Sequence, residues 1–178
     1  MRSRNKIGML IVTAVLTAQT GCGIYSFTGA NLSPDIKTFS VDYFYNEAGD
    51  GPPILSQQFT EELKDFFQNN TNLTLDNAGN GDIQLGGAIT GFRYGPIAAT
   101  ASGNANQPDV AGLQRLTITV AVTYVDTKDD SYSFERTFSF YSDYNPSQSP
   151  ITAAEPQLIT DIFEAIVTDI FNATVANW

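Results

Sequence analysis

The residue whose surroundings specify the most chemistry is Cys22, the only cysteine in the 178-residue chain. Arg2, Arg4 and Lys6 precede an apolar run from Ile7 to Ala18, and Thr20-Gly21 then leads into the cysteine. A basic start, a short apolar stretch and small residues before a cleavage point are the parts of an export signal. A cysteine placed directly behind them reads as a lipid-attachment site. The expectation is that residues 1–21 are removed and that Cys22 becomes the first residue, carrying acyl chains such as palmitate. Two plainer readings compete: an uncleaved N-terminal helix, and a secretory signal cut elsewhere. The apolar run of about 12 residues is short of the ~20 that cross a bilayer. Gln19 stands where a lipobox usually has leucine.

Few other reactive groups are available. The chain has no histidine, which removes Ser-His-Asp triads, Cys-His dyads and His-containing zinc sites together. With one cysteine there is no disulfide within the chain. Nothing resembles a P-loop, a dinucleotide fingerprint or a calcium loop. Asp126, Asp129 and Asp130 cluster, but Lys128 lies among them and no Glu closes a calcium loop, so a solvated turn is the expectation. Glycoside hydrolysis by paired carboxylates needs two acids facing each other in a deep pocket, and no cleft-forming motif surrounds any pair here. The reading is a non-enzyme with no metal and no cofactor beyond the lipid on Cys22.

Charge narrows the partners. Removing residues 1–21 takes three of the nine Lys and Arg and none of the 19 Asp and Glu. The 157 residues that remain carry six basic and 19 acidic groups, a net charge of −13. Such a chain does not bind nucleic acid, which requires clustered cations on phosphates. Nor is it drawn electrostatically to an anionic lipid surface, so membrane association has to come from the anchor.

The elements that position these groups follow from hydrophobic period. Residues 22–36 are rich in turn formers and read as a lipidated tether, and residues 37–178 as one domain. The segment 37–45 alternates and reads as a single strand with Phe39, Val41, Tyr43 and Tyr45 on one face. Leu55, Phe59, Leu63 and Phe66 or Phe67 recur at helical spacing over 53–69. A short strand at 72–76 and a turn at 77–81 follow, then a glycine-interrupted strand over 82–98 and a small, polar loop over 99–112. The clearest strand is 113–126, with Leu116, Ile118, Val120, Val122 and Tyr124 on one face and Thr117, Thr119, Ala121 and Thr123 on the other. A turn at 127–130 gives a return strand over 131–141. A loop over 142–154 precedes a second amphipathic helix, 155–172, with Pro156 in its first turn. The expected fold is α+β: a small, antiparallel-rich mixed sheet of about four strands with both helices on one face. On surface residues, Arg115 and Arg136 are expected to pair with nearby acids rather than form a basic spot. Tyr43, Tyr45 and Tyr94 are expected to pack as ordinary core or sheet-face aromatics rather than to form an aromatic contact surface for a partner.

Taken in order, CGIYSFTG from Cys22, KTFSVDYFYN, FTEELKDFF, NLTL, GAITGF, LTITV and the C-terminal IVTDIFNATVANW resemble the LptE family of lipopolysaccharide-assembly lipoproteins. The likeness covers nearly all of the chain after residue 21. It implies an α/β fold with two helices on a small sheet, anchorage on the periplasmic side of the outer membrane, and a role as plug and assembly partner of the LptD-like β-barrel. Lipopolysaccharide is an implied ligand. The six basic residues available to contact it, Lys37, Lys64, Arg93, Arg115, Lys128 and Arg136, are scattered and match no family motif. The alternative is an envelope lipoprotein whose domain binds another glycan, lipid or protein.

Overall fold

The computed structural model describes residues 32–97 and 112–175. The signal segment 1–21, Cys22, most of the tether, most of the loop expected at 99–112 and the last three residues lie outside them. The elements are β1 (Thr38–Val41), β2 (Tyr45–Asn46), α1 (Leu55–Asn70), β3 (Thr74–Leu75), β4 (Ile83–Pro96), β5 (Gln114–Asp126), β6 (Phe134–Tyr144) and α2 (Ile151–Thr174). A 3-10 turn, Asp130–Tyr132, joins β5 to β6.

The class is α+β as expected, but the sheet has six strands, in the order β3-β1-β4-β5-β6 with β2 also paired to β4. It is mixed, with the long ladders antiparallel: β1 runs parallel to β3 and β4, β2 runs parallel to β4, and β4-β5-β6 is an antiparallel meander. The path from β1 through α1 to β3 is a crossover, the connection that parallel neighbours require. β2 is only two residues long and is merged with β1 in the expected 37–45 strand, whereas β3, equally short, lies inside the strand expected at 72–76.

The single strand expected over 37–45 is broken. β1 pairs Phe39 to Val41 with Ile83 to Leu85, whereas β2 pairs Tyr45 and Asn46 with Ala88 and Ile89. Four steps on this side meet three on β4, so one residue is extra. An extra residue inverts every side chain beyond it. Phe44 therefore turns into the core and is fully buried, while Tyr43 and Tyr45 turn out. The displaced peptide is held by α1: Phe44 N–H donates to Thr60 Oγ1 at 3.1 Å, and that hydroxyl donates to the Ser56 carbonyl at 2.7 Å. On β4, Gly87 takes φ +148°, and a Cβ there would meet the Ala121 carbonyl and the Phe44 ring. Glycine at 87 is what lets Phe44 lie flat against the sheet.

Both helices cover the same face. From α1, Leu55, Phe59, Leu63 and Phe67 are fully buried, and from α2 Ile162, Phe163, Val167 and Ile170. Phe66, the alternative to Phe67 in the helical stripe, is partly buried and packs edge-on against Phe171 at 5.2 Å. Edge-on aromatic contacts stitch the layers: Phe44–Phe59 at 5.1 Å and Phe59–Phe163 at 5.0 Å. Each such side chain contributes roughly 1.5–3 kcal/mol by burial. α2 begins at Ile151, four residues before the expected start, so Pro156 lies inside the helix rather than in its first turn. Pro150 stands at the N-cap in its place. β6 runs from Phe134 to Tyr144, later at both ends than expected, because residues 130–132 form the tight turn.

Candidate functional site: the tether end and the open sheet face

Three regions carry polar or exposed groups with defined geometry. The first is the end of the domain that Leu32–Ile36 enters. Ile36 is buried and marks the start of the packed domain. Leu32 lies ten positions after Cys22, a reach of at most about 35 Å. Asp82 clasps this end. Its carboxylate accepts from Lys37 N–H at 2.8 Å and Thr38 N–H at 3.0 Å, and its own N–H donates to Thr38 Oγ1 at 2.9 Å. Lys128 Nζ lies 2.7 Å from its other oxygen, and its carbonyl accepts from Thr127 N–H at 2.9 Å. One residue thus joins the start of β1, the start of β4 and the β5–β6 turn. The Lys128 contact and then the Lys37 N–H hold the Asp82 carboxyl well below the usual carboxylate range. The acidic cluster is a turn, as expected: Asp126 Oδ1 accepts from Lys128 and Asp129 N–H at 2.8 and 3.1 Å. A cavity of about 620 Å³ opens beside it, between the entering chain, Tyr132 and the end of α2 at Thr174 and Val175.

The second region is at the opposite end. Tyr94 Oη donates to Glu155 Oε1 at 2.9 Å, tying the end of β4 to the first turns of α2. Burial first, and then this hydrogen bond, push the Tyr94 phenol up. A cavity of about 610 Å³ lies there, lined by Asp50, Gly51, Pro52, Phe92 and Arg93 as well as Tyr94 and Glu155.

The third region is the sheet face turned away from the helices. The register sets its side chains in rows across three strands: Gly86–Thr123–Glu135, Ala88–Ala121–Thr137, Gly91–Thr119–Ser139, Arg93–Thr117–Tyr141 and Gly95–Arg115–Asp143. Tyr45 extends the second row through Ala88. The floor is glycine, alanine, threonine and serine, and Thr119 and Ser139 share a hydroxyl contact at 3.0 Å. Aromatics stand at both margins: Tyr43 and Tyr45 are 47% and 66% exposed on one side and Tyr141 is 47% exposed on the other. Of the two expectations for them, Tyr43 and Tyr45 are sheet-face rather than core aromatics, and the extra residue at the β1–β2 break turns them from the face that the 37–45 alternation gave them. The odd signal in the sequence is Phe44, a large apolar side chain on the polar parity of that strand.

Arg115 and Arg136 do not form a basic spot. Arg136 pairs opposite Val122, seven residues along β5 from Arg115, or about 24 Å. Arg115 makes a two-pronged bond to Asp143 at 2.7 and 2.9 Å and lies 3.5 Å from the Tyr141 ring centre. Asp143 is the nearby acid that the sequence leads one to expect. Arg136 sits over Phe134, at 5.0 Å.

One carboxyl has its pKa raised to near neutrality. Burial pushes Glu62 on α1 up to about 7, reinforced by Glu164 on α2 and then Asp65. It faces the seam between the helices and lines neither cavity above. Among the described residues no three metal-ligating side chains gather, and no helix is long and apolar enough to cross a membrane.

The architecture of the described residues is therefore that of a single α+β domain with one face of the sheet covered by paired helices and the other open. Residues 36–174 match the LptE family model, described as lipopolysaccharide-assembly. The match spans most of the chain, and the chain belongs to that family. No curated protein matches it by sequence. Among solved structures it is similar to a protein of Xanthomonas campestris, with a TM-score of 0.53 at 11% identity over 80% of this chain and 88% of that one. A hypothetical protein of Chlamydia trachomatis is similar with a TM-score of 0.52 at 9% identity, over 80% of this chain and 99% of that one. At such identities the likeness shows a shared fold.

Proposed function

We propose that this chain is a non-enzymatic subunit of the lipopolysaccharide transport complex, anchored through a lipid on Cys22 to the periplasmic side of the outer membrane. In that place it acts as a plug within, and assembly partner of, the LptD-like β-barrel. The observation that carries this reading is the family match over residues 36–174. The anchor rests on the signal-like residues before Cys22. Because Leu32–Ile36 enters at the Asp82 clasp, a lipid on Cys22 holds that end within about 35 Å of the bilayer. The structure of the tether end supports a firm junction, since Asp82 fixes β1 directly after the tether.

Depletion of the chain in growing cells tests the reading. Loss of lipopolysaccharide from the cell surface is expected, together with a poorly assembled barrel. Unchanged surface lipopolysaccharide would instead favour an envelope lipoprotein serving another component. Cys22→Ser separately tests the anchor: the precursor should stay uncleaved and carry no labelled palmitate.

A further inference from the structure

We propose that the free edge of β4 beyond Ile89 binds an extended peptide segment of another protein, which adds to the sheet as a strand and seats a basic side chain in the cavity beside Tyr94. The inference goes beyond the transport role proposed above and does not depend on it.

The edge follows from register. β1 pairs with β4 at Ile83 to Leu85, and β2 pairs with it at Ala88 and Ile89. Beyond that point, residues 91–96 pair with β5 alone. Asp42 N–H donates to the Leu85 carbonyl and Glu47 N–H to the Ile89 carbonyl, each at 2.8 Å. The helix-facing residues of β4 therefore aim their peptide groups toward β1 and β2. In an antiparallel pair the N–H and C=O of one residue point the same way. The extra residue between Ile89 and Gly91 keeps Phe92 and Tyr94 in the helix-facing set. Ile97, of the other set, donates to the Leu113 carbonyl at 2.8 Å, toward β5. The N–H and C=O groups of Phe92 and Tyr94 thus point to the open edge, and among the described residues none of them has a hydrogen-bond partner. A row of this kind is the template for one more strand.

The surroundings select the occupant. The cavity of about 610 Å³ adjoins this edge, and Asp50, Gly51 and Pro52 line its other side. Pro52 has no N–H and cannot donate to the ladder. Successive side chains of an added strand point to opposite sides of the sheet. On the helix side one of them meets the Phe92 and Tyr94 rings and the carboxylates of Asp50 and Glu155. Two acids beside aromatic rings suit Lys or Arg. On the other side its neighbour meets Arg93, which has no ion-pair partner among the described residues, and which suits Asp or Glu. The recognised segment is therefore an extended run with a basic residue directly beside an acidic one. Residues 98–111 of this chain, which follow β4 in sequence, contain Asp109 but no Lys or Arg.

Amide hydrogen exchange of the isotope-labelled full chain in detergent, with and without the capped peptide Thr-Val-Lys-Glu-Val-Thr, tests the proposal. At saturation, exchange at the Phe92 and Tyr94 amides should slow roughly tenfold or more. The Arg93 amide, already turned toward β5, should change little. Two further peptides, each methylated on one alternate set of backbone nitrogens, should differ: an added strand uses one set, so one peptide binds and the other fails. Asp50→Lys, at an exposed site, should weaken the parent peptide roughly tenfold with an unchanged melting temperature. No slowing at Phe92 or Tyr94 would overturn the proposal. Equal binding of both methylated peptides would overturn strand addition, and unchanged affinity in Asp50→Lys would overturn the seat for the basic side chain. Slow exchange at both amides in the free chain, released by deleting residues 98–111, would show that the chain's own loop holds the edge, and the proposal would fall.

Discussion

The two faces of this sheet are built by opposite rules. On the helix side, every large side chain at the centre is buried and the aromatic rings interlock through Phe44, Phe59 and Phe163. On the open side the centre is glycine, alanine, threonine and serine, and the aromatics are displaced to the margins. The helix side is committed to stability and displays acid outward to water. The open side contributes little to stability and mixes Arg93 and Arg115 with Glu135, Asp143, Asp42 over Gly86 and Glu47 beside Ala88. Substitutions should therefore separate: those on the helix side should move folding, and those on the open side should leave it nearly unchanged.

The largest effect is expected at the helix–sheet junction. Phe59→Ala removes a ring that touches both Phe44 and Phe163, at a cost of ~3–5 kcal/mol. Chemical denaturation should show this as a lower midpoint with an unchanged slope. A loss under about 1 kcal/mol would mean the two layers are not joined there. Next is the clasp at the tether end. Asp82→Ala leaves the Lys37 and Thr38 N–H groups without their acceptor and should destabilise by ~1–3 kcal/mol. The Asp82 carboxyl is held below its unfolded value. Its contribution is therefore complete above the unfolded carboxylate range and is lost as pH falls through the folded one, whereas the alanine variant should lack that part of the acid dependence.

Glu62 gives a smaller effect of the opposite sign. Its carboxyl is raised to about 7 in the folded protein from an ordinary value of 4.5. Between those values the folded state holds the proton more firmly than the unfolded one. Stability should fall as pH rises across that window, and the full penalty is present above it. Because the side chain is only half-buried, solvent screening reduces the penalty to about 1 kcal/mol. Glu62→Gln should raise the melting temperature at pH 8 and do much less at pH 5. Equal effects at both would show that burial does not raise the Glu62 carboxyl. Smallest of all, Thr123→Glu on the open face should shift stability by no more than about 0.5 kcal/mol. A larger loss would mean that face is packed rather than open.

The sequence shows the helix side more plainly than the open side. Leu55, Phe59, Leu63 and Phe67 declare a buried stripe by spacing alone, because a helix placed on a sheet must bury one face. The alternation over β5 likewise predicts which side of the sheet is core. Hidden in the sequence is the break after Val41, since one extra residue in a strand leaves a local pattern that still alternates. Only the pairing with β4, and Thr60 waiting on α1 to receive the Phe44 N–H, reveals that Tyr43 and Tyr45 face outward. The short strand β2 escapes for a related reason, as two residues carry no period, whereas β3 lies within the strand expected at 72–76. Asp82 was equally invisible: its role depends on Lys37, Thr38 and Lys128, brought to it from other strands. Cys22 is the reverse case, legible from sequence and outside the described residues.

The proposed role is tested most directly by affinity purification of the tagged full chain from outer membranes in mild detergent. The wild type should bring down a β-barrel protein in an amount comparable to its own. Absence of any barrel from the eluate would contradict the account.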